Sequence, residues 1–214
     1  MSVWAVVLAA GGGTRFGAHK QFASLGGRAV VAWSVVSAQS AADGVVLVLP
    51  AGHRDETSGE ELHGADVAVT GGATRAESVR AGLAAVPQDA DIVVVHDGVR
   101  PLASPALFRT VIDAVRSGAD AVVPGLAVVD TLKRVAGDVV VDTVARDDLV
   151  AVQTPQAFRA HVLRRAHEGE PDATDDAALV EALGTTVRVV PGDPRNVKVT
   201  TPADLEIAQS LASW

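Results

Sequence analysis

Val3-Trp4-Ala5-Val6-Val7-Leu8-Ala9-Ala10-Gly11-Gly12-Gly13-Thr14-Arg15-Phe16-Gly17-Ala18-His19-Lys20 decides how the chain is read. Residues 3–10 are a short, Val-rich apolar run, the pattern of a buried strand. Three glycines follow at once. Without side chains they let backbone N–H groups close on an anion. Arg15 and Lys20 add fixed positive charge at the same place. A strand feeding a glycine-rich loop with two cations predicts a phosphate site, best suited to a nucleotide. A plain turn needs glycines but not two cations. The loop fits neither common template. A Walker A loop needs Gly-Lys-Ser/Thr, and Lys20 is followed by Gln21. A dinucleotide fingerprint needs Gly-x-Gly-x-x-Gly, and here the last glycine is displaced to Gly17. Arg and Lys inside the loop point to a phosphate chain that reacts there rather than merely docking.

The 214 residues suffice for one domain with a substantial core, filled by Ala and Val because aromatics are only 3%. Cys is absent, which excludes disulfides, thiolate metal sites and a Cys nucleophile. A net charge of −8 without a basic stripe argues against nucleic-acid binding. No apolar run is long enough to span a membrane, so the expectation is a cytoplasmic protein without a membrane partner.

Along the chain, strands are predicted at 3–10, 44–50, 66–70, 91–96, 120–124 and 186–190. Helices are predicted at 29–42, 76–86, 104–117, 159–168, 175–183 and 202–213, with Ser104 and Thr174 as N-caps. The charge run at 54–63 reads as a solvated helix or loop. Alternating strands and helices imply an α/β fold: a Rossmann-like, mostly parallel sheet flanked by helices. Such sheets bind ligands at the carboxyl ends of their strands, where the glycine and acid clusters fall. The alternation breaks at 128–152, where 128–135 and 139–144 flank Gly137-Asp138 and read as a hairpin. Its strands are too polar to be central. A projecting β-hairpin arm of this kind seeks a partner chain. The expectation is one domain over 1–214, with 128–152 as a dimerisation arm.

Gly71-Gly72-Ala73-Thr74-Arg75 is a second glycine-rich turn, with Ser78 in the first turn of the next helix. That hydroxyl could hold a base or ribose edge, or simply cap the helix; the residues leave both open. Asp97 ends a strand beside the expected phosphates. It suits Mg²⁺, which prefers carboxylate, water and phosphate oxygen, although an Asx turn before Gly98 would also place an Asp there. Arg100 is a candidate for a substrate phosphate. His96 among buried valines reads as structural. Asp175 and Asp176 begin a helix and suit its dipole, which explains them without a further role. Lys198 lies in a strand-like stretch that would rim the same edge.

Over nearly its whole length the chain resembles the 2-C-methyl-D-erythritol 4-phosphate cytidylyltransferase family of the nucleotide-diphospho-sugar transferase superfamily. The residues that carry the likeness are the loop from Ala9 to Lys20, GGATRAESVRAGL at 71–83, VHDGVRP at 95–101, DTLKR at 130–134, QTPQAF at 153–158, TDDA at 174–177 and NVKVTTPADL at 196–205. The loop alone would give only the superfamily. One departure is Gly98-Val99, where the family often reads Ala-Ala. The resemblance implies a nucleotidyltransferase of non-mevalonate isoprenoid precursor biosynthesis. It would join CTP to 2-C-methyl-D-erythritol 4-phosphate by in-line attack on the α-phosphate, giving the 4-diphosphocytidyl product and pyrophosphate. It implies Arg15, Lys20 and Lys198 as catalytic cations. Ala9, Ala10, Gly11, Gly12, Gly13, Gly72, Arg75, Ser78, Asp97 and Gly98 would surround the nucleotide. Arg100, Thr131, Arg146, Thr174 and Lys198 would hold the acceptor. Mg²⁺ or another divalent cation would be held mainly by the CTP phosphates, with Asp97 near it. Thr131 and Arg146 would reach from the arm into the partner's site, making a homodimer.

Three other readings compete. A cytidylyltransferase using ribitol 5-phosphate or another polyol phosphate would share the same loops. A dehydrogenase would need an acidic residue ending the second strand, which ends instead at Leu49-Pro50-Ala51. A non-catalytic nucleotide-binding regulator would have no use for Arg15, Lys20 and Lys198 together.

Overall fold

The computed structural model describes residues 1–12, 19–52 and 63–212. In chain order the elements are β1 (Val3–Leu8), β2 (Ser24–Leu25), β3 (Arg28–Ala29), α1 (Val30–Gln39), β4 (Gly44–Leu49), β5 (Val67–Thr70), α2 (Arg75–Ala85), β6 (Ile92–Asp97) and α3 (Pro105–Arg116). There follow β7 (Ala121–Ala127), β8 (Leu132–Ala136), β9 (Val139–Val144), β10 (Val150–Val152), β11 (Gln156–Arg159), α4 (Ala160–Ala166), α5 (Asp176–Ala182), β12 (Val187–Pro191) and α6 (Pro202–Leu211). Most of the expected strands and helices are present. Gly13, Arg15 and nearly all of the charge run at 54–63 lie outside the described residues.

Among the described residues the main sheet has eight strands. At its centre β1 runs parallel to both β4 and β6, and β5 extends the parallel side beyond β4. On the other side β11 is antiparallel and lies between β6 and β7. β10 and β12 also pair with β7, antiparallel and parallel respectively. The sequence reading missed β11, because Gln156 and the preceding Pro155 make it look like a loop. It also missed the small β2–β3 hairpin.

Successive strand side chains point to opposite faces, so an unbroken apolar run can feed two cores. Val3, Ala5 and Val7 of β1 pack with α1 and α3 residues such as Val35 and Phe108. Val6 packs on the other face with Val79 and Leu83 of α2 and Leu163 of α4. β6 divides in the same way, Ile92 and Val94 to one face, Val93 and Val95 to the other. A smaller cluster of Leu25, Val30, Val199 and Ala208 ties α6 and the segment before it to the start of α1.

Among the described residues, β8 and β9 pair only with each other, as a separate two-stranded sheet whose side chains are almost all exposed. This is the hairpin expected at 128–144.

Ser104 caps α3 through a bond from the Leu107 N–H, with Pro105 at the first helical position, as expected. Thr174 does not cap α5; Asp175 holds that position without a side-chain bond, because the helix starts one residue later than predicted. Helix α2 rides directly on β1. A Cβ on Gly82 would lie 2.4 Å from Val6 Cγ1, so only glycine allows this approach. Gly82→Ala should cost about 1–3 kcal/mol of unfolding free energy in a denaturant titration, with the denaturant slope unchanged.

Candidate active site

The carboxyl ends of β1, β5 and β6 open onto a cavity of about 270 Å³. Ala9, Ala10, Gly11 and Gly12 form one wall, with Lys20 beside them, and Gly72, Arg75 and Ser78 form the other. Gln21, buried at 1% exposure, holds the first wall. Its Nε2 donates to the carbonyls of Ala9 at 2.8 Å and Gly11 at 3.2 Å. That places the single turn at Lys20–Phe22, and with it Lys20, against the glycine loop. The opposite wall is braced internally. The Ser78 hydroxyl accepts from the Gly72 N–H at 3.2 Å and donates to the Thr74 carbonyl at 3.0 Å. Thr74 caps α2 through the Glu77 N–H. Ser78 therefore braces the loop and does not cap the helix, a role that Thr74 takes.

A second cavity of about 230 Å³ adjoins the first and shares Arg75, Asp97 and Lys198 with it. Arg100, Gln153, Thr154, Gln156, Thr174 and Asp175 add to its polar rim. Asp97 is the centre of the shared wall. Its Oδ2 lies 2.7 Å from Lys198 Nζ and 3.8 Å from Arg100 Nε, and its Oδ1 lies 3.8 Å from Arg75 Nε. Burial alone would raise the Asp97 carboxyl, but Lys198, then Arg75 and Arg100, overcome it and hold it at about 2. The group is therefore ionised at any physiological pH.

Behind this wall lies a layer of buried polar side chains that the sequence reading did not assign. The Thr154 hydroxyl accepts from the Asp97 N–H at 3.0 Å and lies 3.1 Å from His96 Nδ1. Asn196, with no exposed surface, donates to the Thr154 carbonyl at 2.8 Å. Arg100 Nη1 donates to the Asn196 carbonyl at 2.8 Å. The Gln153 amide bridges to the Asp193 backbone at both its oxygen and its nitrogen. These bonds hold the chain that presents Lys198. That chain is extended and joins Val99 through the Val199 N–H, but it is not a strand, contrary to expectation. Gln153-Thr154, polar residues directly after the apolar Val150-Ala151-Val152, were the available signal for that part of the layer.

Gly98 does not offer its backbone to the cavity. Its N–H donates to the Leu8 carbonyl at 2.8 Å and its carbonyl accepts from Ser34. A Cβ here would lie 2.9 Å from that Leu8 oxygen, so this chain needs glycine at the position. His96 is fully buried, and burial lowers its imidazole to about 4. It is structural, as the sequence suggested. Asp176 overturns the expectation that helix-dipole stabilisation explains it: it is 1% exposed and lies 2.6 Å from Arg75 Nη1 and 3.0 Å from His167 Nε2. Thr131 and Arg146 are not brought to either cavity within one chain. Both are exposed, and Arg146 Nη1 donates to the Val129 carbonyl.

The model of the 2-C-methyl-D-erythritol 4-phosphate cytidylyltransferase family matches residues 3–213. The chain belongs to that family. It is 46% identical over 217 residues to the 2-C-methyl-D-erythritol 4-phosphate cytidylyltransferase of Nocardia farcinica, covering 98% of this chain and 94% of that protein. It is 43% identical to a bifunctional enzyme of Solidesulfovibrio magneticus; the match takes in 99% of this chain but only 58% of that longer protein. Among solved structures, the 2-C-methyl-D-erythritol 4-phosphate cytidylyltransferase of Thermus thermophilus is 36% identical, with a TM-score of 0.82 and 96% of each chain covered. The 4-diphosphocytidyl-2C-methyl-D-erythritol synthase of Anaerococcus prevotii gives 32% identity and a TM-score of 0.83, over 98% of this chain and 97% of that one.

In this cytidylyltransferase-family chain, folding favours the neutral His96 ring, because its pKa falls from 6.5 to about 4. The contribution is complete above pH 6.5 and is lost as pH falls toward 4. The shift corresponds to about 3 kcal/mol. His96→Gln should flatten that part of the unfolding free energy against pH, measured by denaturant titration. Asp97 acts with the same sign lower down, between its ordinary 3.8 and about 2.

Proposed function

We propose that this chain transfers the cytidylyl group of CTP to 2-C-methyl-D-erythritol 4-phosphate and releases pyrophosphate. The observation that carries this reading is the meeting of two cavities at Arg75, Asp97 and Lys198. The glycine-walled cavity takes the nucleotide, and the one rimmed by Arg100, Thr174 and Lys198 takes the acceptor. An acceptor phosphate oxygen then forms the new bond to the α-phosphorus as the bond to the β-phosphate oxygen breaks. Pyrophosphate leaves with the bonding electrons. This displacement needs alignment and neutralisation of charge, not a covalent nucleophile. Lys20 acts on the triphosphate from the glycine loop, Arg15 joins it, and Lys198 acts from the junction. Gly72 lies in the wall that would face the pyrimidine, whereas Gly98 packs against Leu8 and Val31 behind it.

Among the described residues no group of three His, Cys, Asp or Glu could hold a metal ion alone. Asp97, ionised at physiological pH, fits one carboxylate position of a Mg²⁺, or another divalent cation, whose other ligands would be phosphate oxygens and water. Such an ion would neutralise charge on the triphosphate. No described helix is long and apolar enough to cross a membrane. Both proposed substrates are charged phosphates that do not cross membranes unaided, so the proposed setting is the cytoplasm.

Pyrophosphate release from CTP should be at least about a hundredfold faster, in kcat/KM, with 2-C-methyl-D-erythritol 4-phosphate than with ribitol 5-phosphate. Equal rates across a panel of polyol phosphates would overturn the assignment of the acceptor.

The arm supports a homodimer. Val135, Val139, Val140 and Val141 are 56–62% exposed on an isolated two-stranded sheet, a costly arrangement without a covering partner. In the proposed dimer the arm lies on a second copy and carries Thr131 and Arg146 to that copy's acceptor cavity. Lys20→Ala and Arg146→Ala should each lower kcat by about two decades or more. Co-refolding the two variants should then restore about a quarter of wild-type activity, because random pairing leaves one intact site in each mixed dimer. No recovery would show that each chain builds its own site.

A further inference from the structure

We infer that Asp176 is a positioning residue for the transfer reaction, acting through Arg75. The inference builds on the proposed assignment of the two cavities. Asp176 is the first residue of α5 and is nearly fully buried, which is unusual for a carboxylate at a helix start. Its Oδ2 lies 2.6 Å from Arg75 Nη1, while its Oδ1 lies 3.0 Å from Nε2 of the buried His167. Arg75 in turn lies in the wall common to both cavities, with Nε 3.8 Å from Asp97. The guanidinium is thus stretched between two carboxylates of different standing. Asp176 holds it closely from behind, and Asp97 faces it more loosely from the site.

The difference in distance has a chemical consequence. Asp97 keeps its closest contact, 2.7 Å, for Lys198. Without the rear anchor, Arg75 would be drawn onto Asp97 and would compete with Lys198 for it. The lysine's position, and the cationic lining of the wall between nucleotide and acceptor, would both change. Asp176 touches no substrate in this scheme. It fixes where a cation stands, and displacement by a single ångström is enough to cost a large part of the rate. His167 holds the other oxygen and so sets the orientation of the carboxylate.

The test is a double-mutant cycle on the full chain, with CTP turnover and thermal stability both read. Asp176→Asn should lower kcat by tenfold or more, with the KM for CTP changed less than threefold. Arg75→Gln should lower kcat at least as far. Adding Asp176→Asn to Arg75→Gln should change kcat by less than twofold, because the cation that Asp176 serves is already gone. It should also raise the melting temperature above that of Arg75→Gln alone, since the single variant leaves a buried carboxylate without its cation. Should Asp176→Asn alone fail to fold, the pair of Arg75→Gln proteins still decides the matter. A loss of kcat in the double variant that multiplies the two single losses would overturn the inference and make Asp176 a purely structural residue. Wild-type turnover of CTP with an unimpaired Asp176→Asn would overturn the inference alone. A wild-type protein that does not turn over CTP would overturn the functional reading and the inference with it.

Discussion

A carboxylate buried at the end of a central strand must be compensated, because moving an ionised group out of water costs several kcal/mol unless partners replace the solvent. Asp97 is that carboxylate. β6 carries it to the edge of the sheet, and among the described residues Arg75, Arg100 and Lys198 surround it. Each comes from a different part of the chain: the start of α2, the turn after β6, and the extended segment before α6. The requirement to neutralise one charge therefore fixes the relative placement of three segments. Those segments form the wall between the two cavities.

Compensation alone would not set the geometry, since ion pairs tolerate wide variation in distance and angle. Neutral hydrogen bonds supply the precision. Thr154 ties the backbone of Asp97 to the segment that follows β10, and Asn196 ties that segment to the one bearing Lys198. Gln21 does the same for the glycine loop and Lys20. These amides and hydroxyls are uncharged and buried, so they can be fully enclosed without the desolvation cost of an ion. The site is thus a charged front held by a neutral backing.

What could be read in the sequence follows from this division. The charged front is made of residues placed beside glycines at strand ends, and a strand followed by Gly and Arg or Lys is a local pattern. Gly11, Lys20, Arg75, Asp97 and Arg100 were legible for that reason. The parallel core was legible too, because strands buried on both faces are continuous apolar runs. The backing was not, because its meaning lies in long-range pairing. Gln21 served only to reject a Walker loop, and its partners are backbone carbonyls that any residue carries. Asp176 had a sufficient local explanation in its helix, and its pairing with Arg75 across the fold is invisible along the chain. β11 was hidden because its polar Gln156 is buried by a bond to Asp175 rather than by apolar neighbours. Lys198 was found, but its support by Asn196 and Val99 rather than by a ladder was not.

The strand β11 has a consequence for the order in which the molecule is assembled. It enters the sheet antiparallel between β6 and β7, although both are made earlier in synthesis. A nascent chain that has emerged only as far as β7 therefore has a gap in its sheet beside the strand that bears Asp97. The bonds that brace the ligand-facing end of this strand also span long stretches of sequence: 57 residues from Asp97 to Thr154 and 96 from Arg100 to Asn196. Such contacts repay their loop-closure entropy late. The ligand-facing edge is thus completed only once the segment bearing Asn196 and Lys198 has been made. Until then, the nascent protein cannot hold its reactants in register.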